Sequence, residues 1–133
     1  MGSLIDTSVL IESERGGLDL EKFLSAFPEE DWMISSVTVS ELLHGGLRTT
    51  VPANRARRLR FAEETIRRFP VLTFDLLAAR THARIWAELA RRGRMVGERD
   101  LLIASTAISL DYSVATRDLR SFPMVPGLRV LNL

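Results

Sequence analysis

Five short apolar runs, at residues 2–5, 32–35, 71–74, 113–116 and 128–131, recur along the chain with helical stretches between them. Runs this short suit buried strands rather than helices. The intervening segments carry helical periodicity and its punctuation. Residues 18–26 place Leu20, Phe23 and Leu24 on one stripe that extends to Phe27 and closes at Pro28. Pro52 suits the first turn of a helix that runs to about residue 68 and stops at Pro70. Asp75 caps a helix through residue 92, with Leu76, Ala79, Ala83, Trp86 and Ala90 read as its apolar face and Gly93 as its stop. Residues 101–110 are apolar on nearly every side, as in a central, buried helix. This alternation predicts a three-layer α/β/α fold around a mostly parallel sheet of about four to five strands. No repeat or linker interrupts the 133 residues, so residues 1–133 are read as one domain.

Composition excludes several classes of chemistry. There is no cysteine, hence no disulfide frame, thiol catalysis or cysteine zinc site. His44 and His82 lie on different helices without metal-ligand spacing. No apolar run approaches the roughly 20 residues that span a bilayer, and the start lacks the pattern of a signal peptide. A cytoplasmic location is the expectation. The net charge of +1 advertises no global attraction to nucleic acid. Arg55, Arg57, Arg58 and Arg60 could grip a phosphate backbone or simply form a solvated helix face.

Four acids stand at element boundaries instead of on helix faces. Asp6 follows the first strand, where Thr7 and Ser8 can cap the next helix. Glu41 falls in the first turn after the second strand, Asp100 opens the buried helix, and Asp118 follows the fourth strand. In open α/β sheets, ligands bind at the carboxyl edge of the strands. If these boundaries meet there, the carboxylates resist joint ionisation. A hard divalent cation such as Mg²⁺ or Mn²⁺ relieves that conflict. Each acid also has a plainer use. Asp6 caps the next helix, Thr38 with Glu41 forms a capping box, Asp100 serves as an N-cap, and Asp118 forms a turn.

Leu4-Ile5-Asp6-Thr7-Ser8-Val9-Leu10-Ile11 resembles the opening motif of the PIN-domain family, especially the VapC-type toxins of toxin–antitoxin modules. The stretch from Ile34 through Glu41 to Gly45 resembles that family's second acidic motif, and Gly97-Glu98-Arg99-Asp100-Leu101-Leu102-Ile103-Ala104 its third. Val114-Ala115-Thr116-Arg117-Asp118, followed by Phe122, resembles the last. Ser105 departs from the second alanine common after Ala104, and the position of Asp118 is Asn in some members.

The resemblance implies a metal-dependent endoribonuclease. Asp6, Asp100 and Asp118 would hold Mg²⁺ or Mn²⁺, and Glu41 would act through a water or assist the site. Thr7 and Thr116 would orient the carboxylates, as alternatives to a helix cap and a strand-end turn. Independently of the resemblance, Arg94 and Arg99 flank Asp100 and are better candidates for RNA phosphate contact than the Arg55–Arg60 cluster. Water, not the RNA 2′-hydroxyl, would be the nucleophile. The resemblance further implies a VapB-like antitoxin as partner and a homodimer. The alternative is a catalytically silent PIN-like module that binds RNA or protein.

Overall fold

The apolar runs become strands β1 (Gly2–Ile5), β2 (Asp31–Ser35), β3 (Val71–Leu72), β4 (Ser113–Ala115) and β5 (Val130–Leu131) in a computed structural model that describes residues 1–132. The strands are all parallel, in the order β3-β2-β1-β4-β5. Side chains alternate across this sheet. Leu4 and Val114 point into one core, Ile5 and Ala115 into the other.

Helices α1 (Thr7–Glu14), α2 (Leu20–Ser25) and α4 (Pro52–Arg68) cover the Ile5 face with Leu10, Phe23 and Ala62. Helices α5 (Leu76–Arg91) and α6 (Glu98–Ser109) cover the Leu4 face with Ile85, Leu89 and Ile103. Helix α3 (Ser36–Leu47) contributes Leu42 to one core and rests Val37 against the other. The result is the expected three-layer α/β/α fold with a parallel sheet. Phe23 and Phe122 are among the largest fully buried side chains, one in each core. Burying each stabilises the fold by about 1.5–3 kcal/mol.

Several local expectations change. Helix α5 turns Ala78, Thr81, Ile85 and Leu89 inward and leaves Leu76 and Trp86 exposed. Both sets of residues obey helical spacing. Thr81 disguised the true inner face as polar, and Trp86 disguised the outer one as apolar. Helix α3 begins at Ser36, and the Ser35 hydroxyl caps it by accepting from the Val37 N–H at 3.0 Å. The Thr38–Glu41 capping box therefore does not form. Helix α1 begins at Thr7, with Asp6 as an N-cap whose side chain makes no capping bond. Helix α6 begins at Glu98, so Asp100 lies inside its first turn and Gly97 is the N-cap.

The paired glycines near the end of α3 are not equivalent. A Cβ on Gly46 would lie 2.6 Å from Leu59 Cδ2, 2.9 Å from its Cγ and 3.3 Å from its backbone nitrogen. Nothing lies within 4 Å of a Cβ on Gly45. Gly45→Ala should thus stabilise the protein by about 0.4–1 kcal/mol. Gly46→Ala should destabilise it by about 1–2 kcal/mol, because overpacking outweighs the gain in helix propensity. Urea denaturation of the two variants checks the contrast.

Strand order reverses beside β1. The chain moves outward through β2 and β3, then returns to β4 and β5 on the other side. The carboxyl ends of β1 and β4 therefore flank a topological switch point, where a crevice for ligands is expected.

Candidate active site

Asp6 stands at that crevice. Its backbone N–H donates to the Ala115 carbonyl at 2.9 Å, which continues the β1–β4 ladder one residue past the strand. Its side chain is 3% exposed. Two hydroxyls converge on Asp6 Oδ2: Ser8 Oγ donates at 2.7 Å and Thr116 Oγ1 at 2.9 Å. Thr116 Oγ1 also accepts from the Asp118 N–H at 2.8 Å, and Ser8 Oγ accepts from the Arg117 N–H at 3.2 Å. The loop after β4 is thereby tied to the start of α1. Asp118 accepts from the Arg120 N–H at 3.0 Å.

Glu41 arrives from α3. Thr7 Oγ1 donates to Glu41 Oε1 at 2.8 Å and lies 3.1 Å from Thr38 Oγ1. The Thr7 hydroxyl is thus occupied across 34 residues of sequence and is not a helix cap. Asp100 arrives from the first turn of α6, beside Ser121. Ser121 Oγ is buried without a partner in hydrogen-bonding geometry, yet it is near enough to favour the charged form of Asp100.

The acids sense one another. Burial pushes the Asp6 carboxyl up to about 6, against its hydroxyl partners and with help from the charge of Asp100. Burial also raises Glu41; Thr7 and Arg99 oppose the shift, and Asp100 adds to it. Asp100 is raised by burial, opposed by Ser121 and reinforced by Asp118. Asp100 is the common neighbour, coupling to each of the other three. Arg99 lies within the field of Glu41, whereas Arg94 sits in the connection between α5 and α6, lining a separate cavity. The residues that sequence reasoning missed are Ser8 in its actual role, Thr38 and Ser121. Ser8 had a local signal, since a serine two residues after an aspartate can bond back to it. Ser121 had none, because it meets Asp100 only through the tertiary fold.

The family model described as PIN domain matches residues 3–128. The chain belongs to the PIN domain family. This PIN domain is 35% identical over 133 residues to Ribonuclease VapC1 of Rickettsia felis, covering 100% of this chain and 97% of that protein. It is 41% identical over 97 residues to the tRNA(fMet)-specific endonuclease VapC of Salmonella typhimurium, covering 73% and 71% of the two chains. Among solved structures, it superposes on a chain of DNA-bound VapBC from Salmonella typhimurium with a TM-score of 0.86 and 34% identity, covering 99% and 98%. Among the described residues, no helix is long and apolar enough to cross a membrane.

Proposed function

We propose that this PIN domain, acting as one unit over residues 1–133, is a metal-dependent endoribonuclease and the toxin partner of a VapB-like antitoxin. The observation that carries this reading is the geometry at the β1/β4 crevice: buried Asp6 is fixed by Ser8 and Thr116, Glu41 is held by Thr7, and Thr116 ties in the Asp118 backbone. The ribonuclease named at 35% identity over the full chain supports RNA as substrate, and the VapBC complexes support an antitoxin partner. A homodimer and a cytoplasmic location belong to the same reading.

The donor set fits a hard divalent cation. It offers carboxylate oxygens, which suit Mg²⁺ or Mn²⁺. Among the described residues, no three acidic, histidine or cysteine side chains close around a point. Mg²⁺ keeps several waters, so these carboxylates would hold it partly through its water shell. The unpartnered Ser121 hydroxyl supplies a further polar group beside Asp100.

Asp6, Asp100 and Asp118 would hold the cation, which when bound offsets phosphate charge and lets water attack near neutral pH. The residues do the positioning. Ser8 and Thr116 fix Asp6 through Oδ2. Thr7 holds Glu41 Oε1, leaving Oε2 to take the proton of the attacking water. As the water oxygen bonds to phosphorus, the bond from phosphorus to the 3′-oxygen breaks, and that oxygen leaves with a proton from solvent. The products are a 5′-phosphate and a 3′-hydroxyl, and the 2′-hydroxyl is not consumed.

End analysis of cleaved RNA tests this reading. With Mg²⁺ or Mn²⁺ the fragments should carry 5′-phosphates, and a chelator should stop their formation. A cyclic 2′,3′-phosphate would contradict water as nucleophile. RNA or protein binding without cleavage under either metal would leave the silent module instead.

A further inference from the structure

The four acids are not held alike. Ser8 and Thr116 donate to Asp6, Thr7 donates to Glu41, and Asp118 accepts from the Arg120 N–H. Among the described residues, the Asp100 carboxylate accepts no well-formed hydrogen bond and enters no ion pair, although Asp118 beside it pairs with Arg120 at 3.7 Å. Asp100 is half-buried in the first turn of α6, so packing alone does not fix its side chain. A carboxylate that is free to rotate loses that freedom on taking a cation, which weakens binding.

Ser121 supplies what Asp100 lacks. Its Oγ is buried without a partner, beside Asp100. A buried hydroxyl left without a partner is costly. The ordinary local use of this serine is absent, since it precedes the 3₁₀ turn Phe122–Met124 and its side chain makes no capping bond there. Its backbone is well anchored. The Ser121 carbonyl accepts from the Met124 N–H at 3.2 Å, and Phe122 is fully buried in the core that α6 covers. Upstream, the Thr116 N–H donates to the Leu131 carbonyl at 3.0 Å, and Thr116 Oγ1 accepts from the Asp118 N–H. One fixed loop thus carries Asp118 and an unused donor for Asp100.

We propose that Ser121 is a positioning residue for the cation site: its hydroxyl donates to the Asp100 carboxylate once that carboxylate takes the cation, and so raises affinity for the ion. This role rests on the metal-dependent reading above and deepens it. Ser121 would do for Asp100 what Ser8 and Thr116 do for Asp6 and Thr7 does for Glu41. It differs from them in acting on cation binding and not on the stability of the fold.

The test pairs Mn²⁺ affinity, read by electron paramagnetic resonance of the unbound ion at pH 7.5, with thermal unfolding in chelator. Ser121→Ala should weaken Mn²⁺ binding about 10-fold, and Ser121→Thr, which keeps the hydroxyl, should stay within about 3-fold of the wild type. With chelator, the unfolding temperature of Ser121→Ala should equal or exceed that of the wild type, because the deleted hydroxyl has no partner to lose. In an Asp100→Ala background, Ser121→Ala should weaken Mn²⁺ binding by less than about 2-fold, since the group it acts through is gone. Equal Mn²⁺ affinity of the wild type and Ser121→Ala overturns the proposal and leaves the cation site standing. So does a 10-fold loss that persists in the Asp100→Ala background, or a Ser121→Thr protein as weak as Ser121→Ala. An unfolding temperature of Ser121→Ala in chelator lower by about 3 °C or more also overturns it, by making the hydroxyl a partner in the fold itself. A wild type that binds no Mn²⁺ sinks the metal-dependent reading, and this role with it.

Discussion

Asp6→Asn should abolish RNA cleavage while making the metal-free protein more stable. The loss of activity should reach at least about 100-fold, the scale on which removal of one preorganised electrostatic group acts. The gain in stability follows from burial. Asp6 titrates at about 6 in the folded protein against 3.8 as its ordinary value. A folded pKa above the unfolded one means stability that is fully present below pH 3.8 and is lost as pH rises through about 6. At pH 7.5 the ionised side chain therefore costs about 3 kcal/mol. Asparagine has the same shape, and its amide oxygen can accept from Ser8 and Thr116 without a charge. Its unfolding temperature at pH 7.5 with chelator should exceed that of the wild type by about 5–10 °C. Near pH 4 most of the difference should vanish. A wild type more stable than Asp6→Asn at pH 7.5 would mean that the protein alone satisfies the carboxylate.

The same excess of negative charge predicts the second large effect. Mn²⁺ or Mg²⁺ should raise the unfolding temperature of the wild type, and more at pH 7.5 than at pH 5. Above about pH 6 the Asp6 carboxylate is ionised and repelled by Asp100, so a cation relieves a standing cost. At lower pH protons already relieve it and compete with the cation. At a hundred times its dissociation constant the cation should add about 2.7 kcal/mol. Asp100→Asn should remove most of this gain, since Asp100 is the residue whose charge both Asp6 and Glu41 feel. Thermal unfolding with and without metal, at both pH values, measures all of it. A shift equal at pH 5 and pH 7.5 would place the cation elsewhere on the surface.

The reading of the strands succeeded because buried parallel strands are short apolar runs, and little else in a chain looks like them. The placement of Asp6 and Asp118 next to strand ends was legible for the same reason. Helix faces were less so. In α5 one threonine and one tryptophan reversed the apparent polarity of two equally spaced stripes. Hydroxyl roles were ambiguous in principle, since Thr7, Ser8 and Thr38 can each cap a helix or bond across the fold. Only the packing of β1 against β4 and of α1 beside α3 decides that Ser8 holds Asp6 and Thr7 holds Glu41. Ser121 lies 21 residues beyond Asp100 and meets it only because the chain returns there after β4.

The central claim is that Asp6 after β1, Asp100 in α6 and Asp118 after β4 hold one cation, with Glu41 of α3 assisting through its water. Electron paramagnetic resonance of unbound Mn²⁺ at pH 7.5 tests it most directly, with the wild type beside Asp6→Asn, Glu41→Gln and Asp100→Asn. The expected result is binding weakened at least about 10-fold in all three variants, each still folded by circular dichroism. Mn²⁺ held as tightly by Asp6→Asn and Asp100→Asn as by the wild type would contradict it.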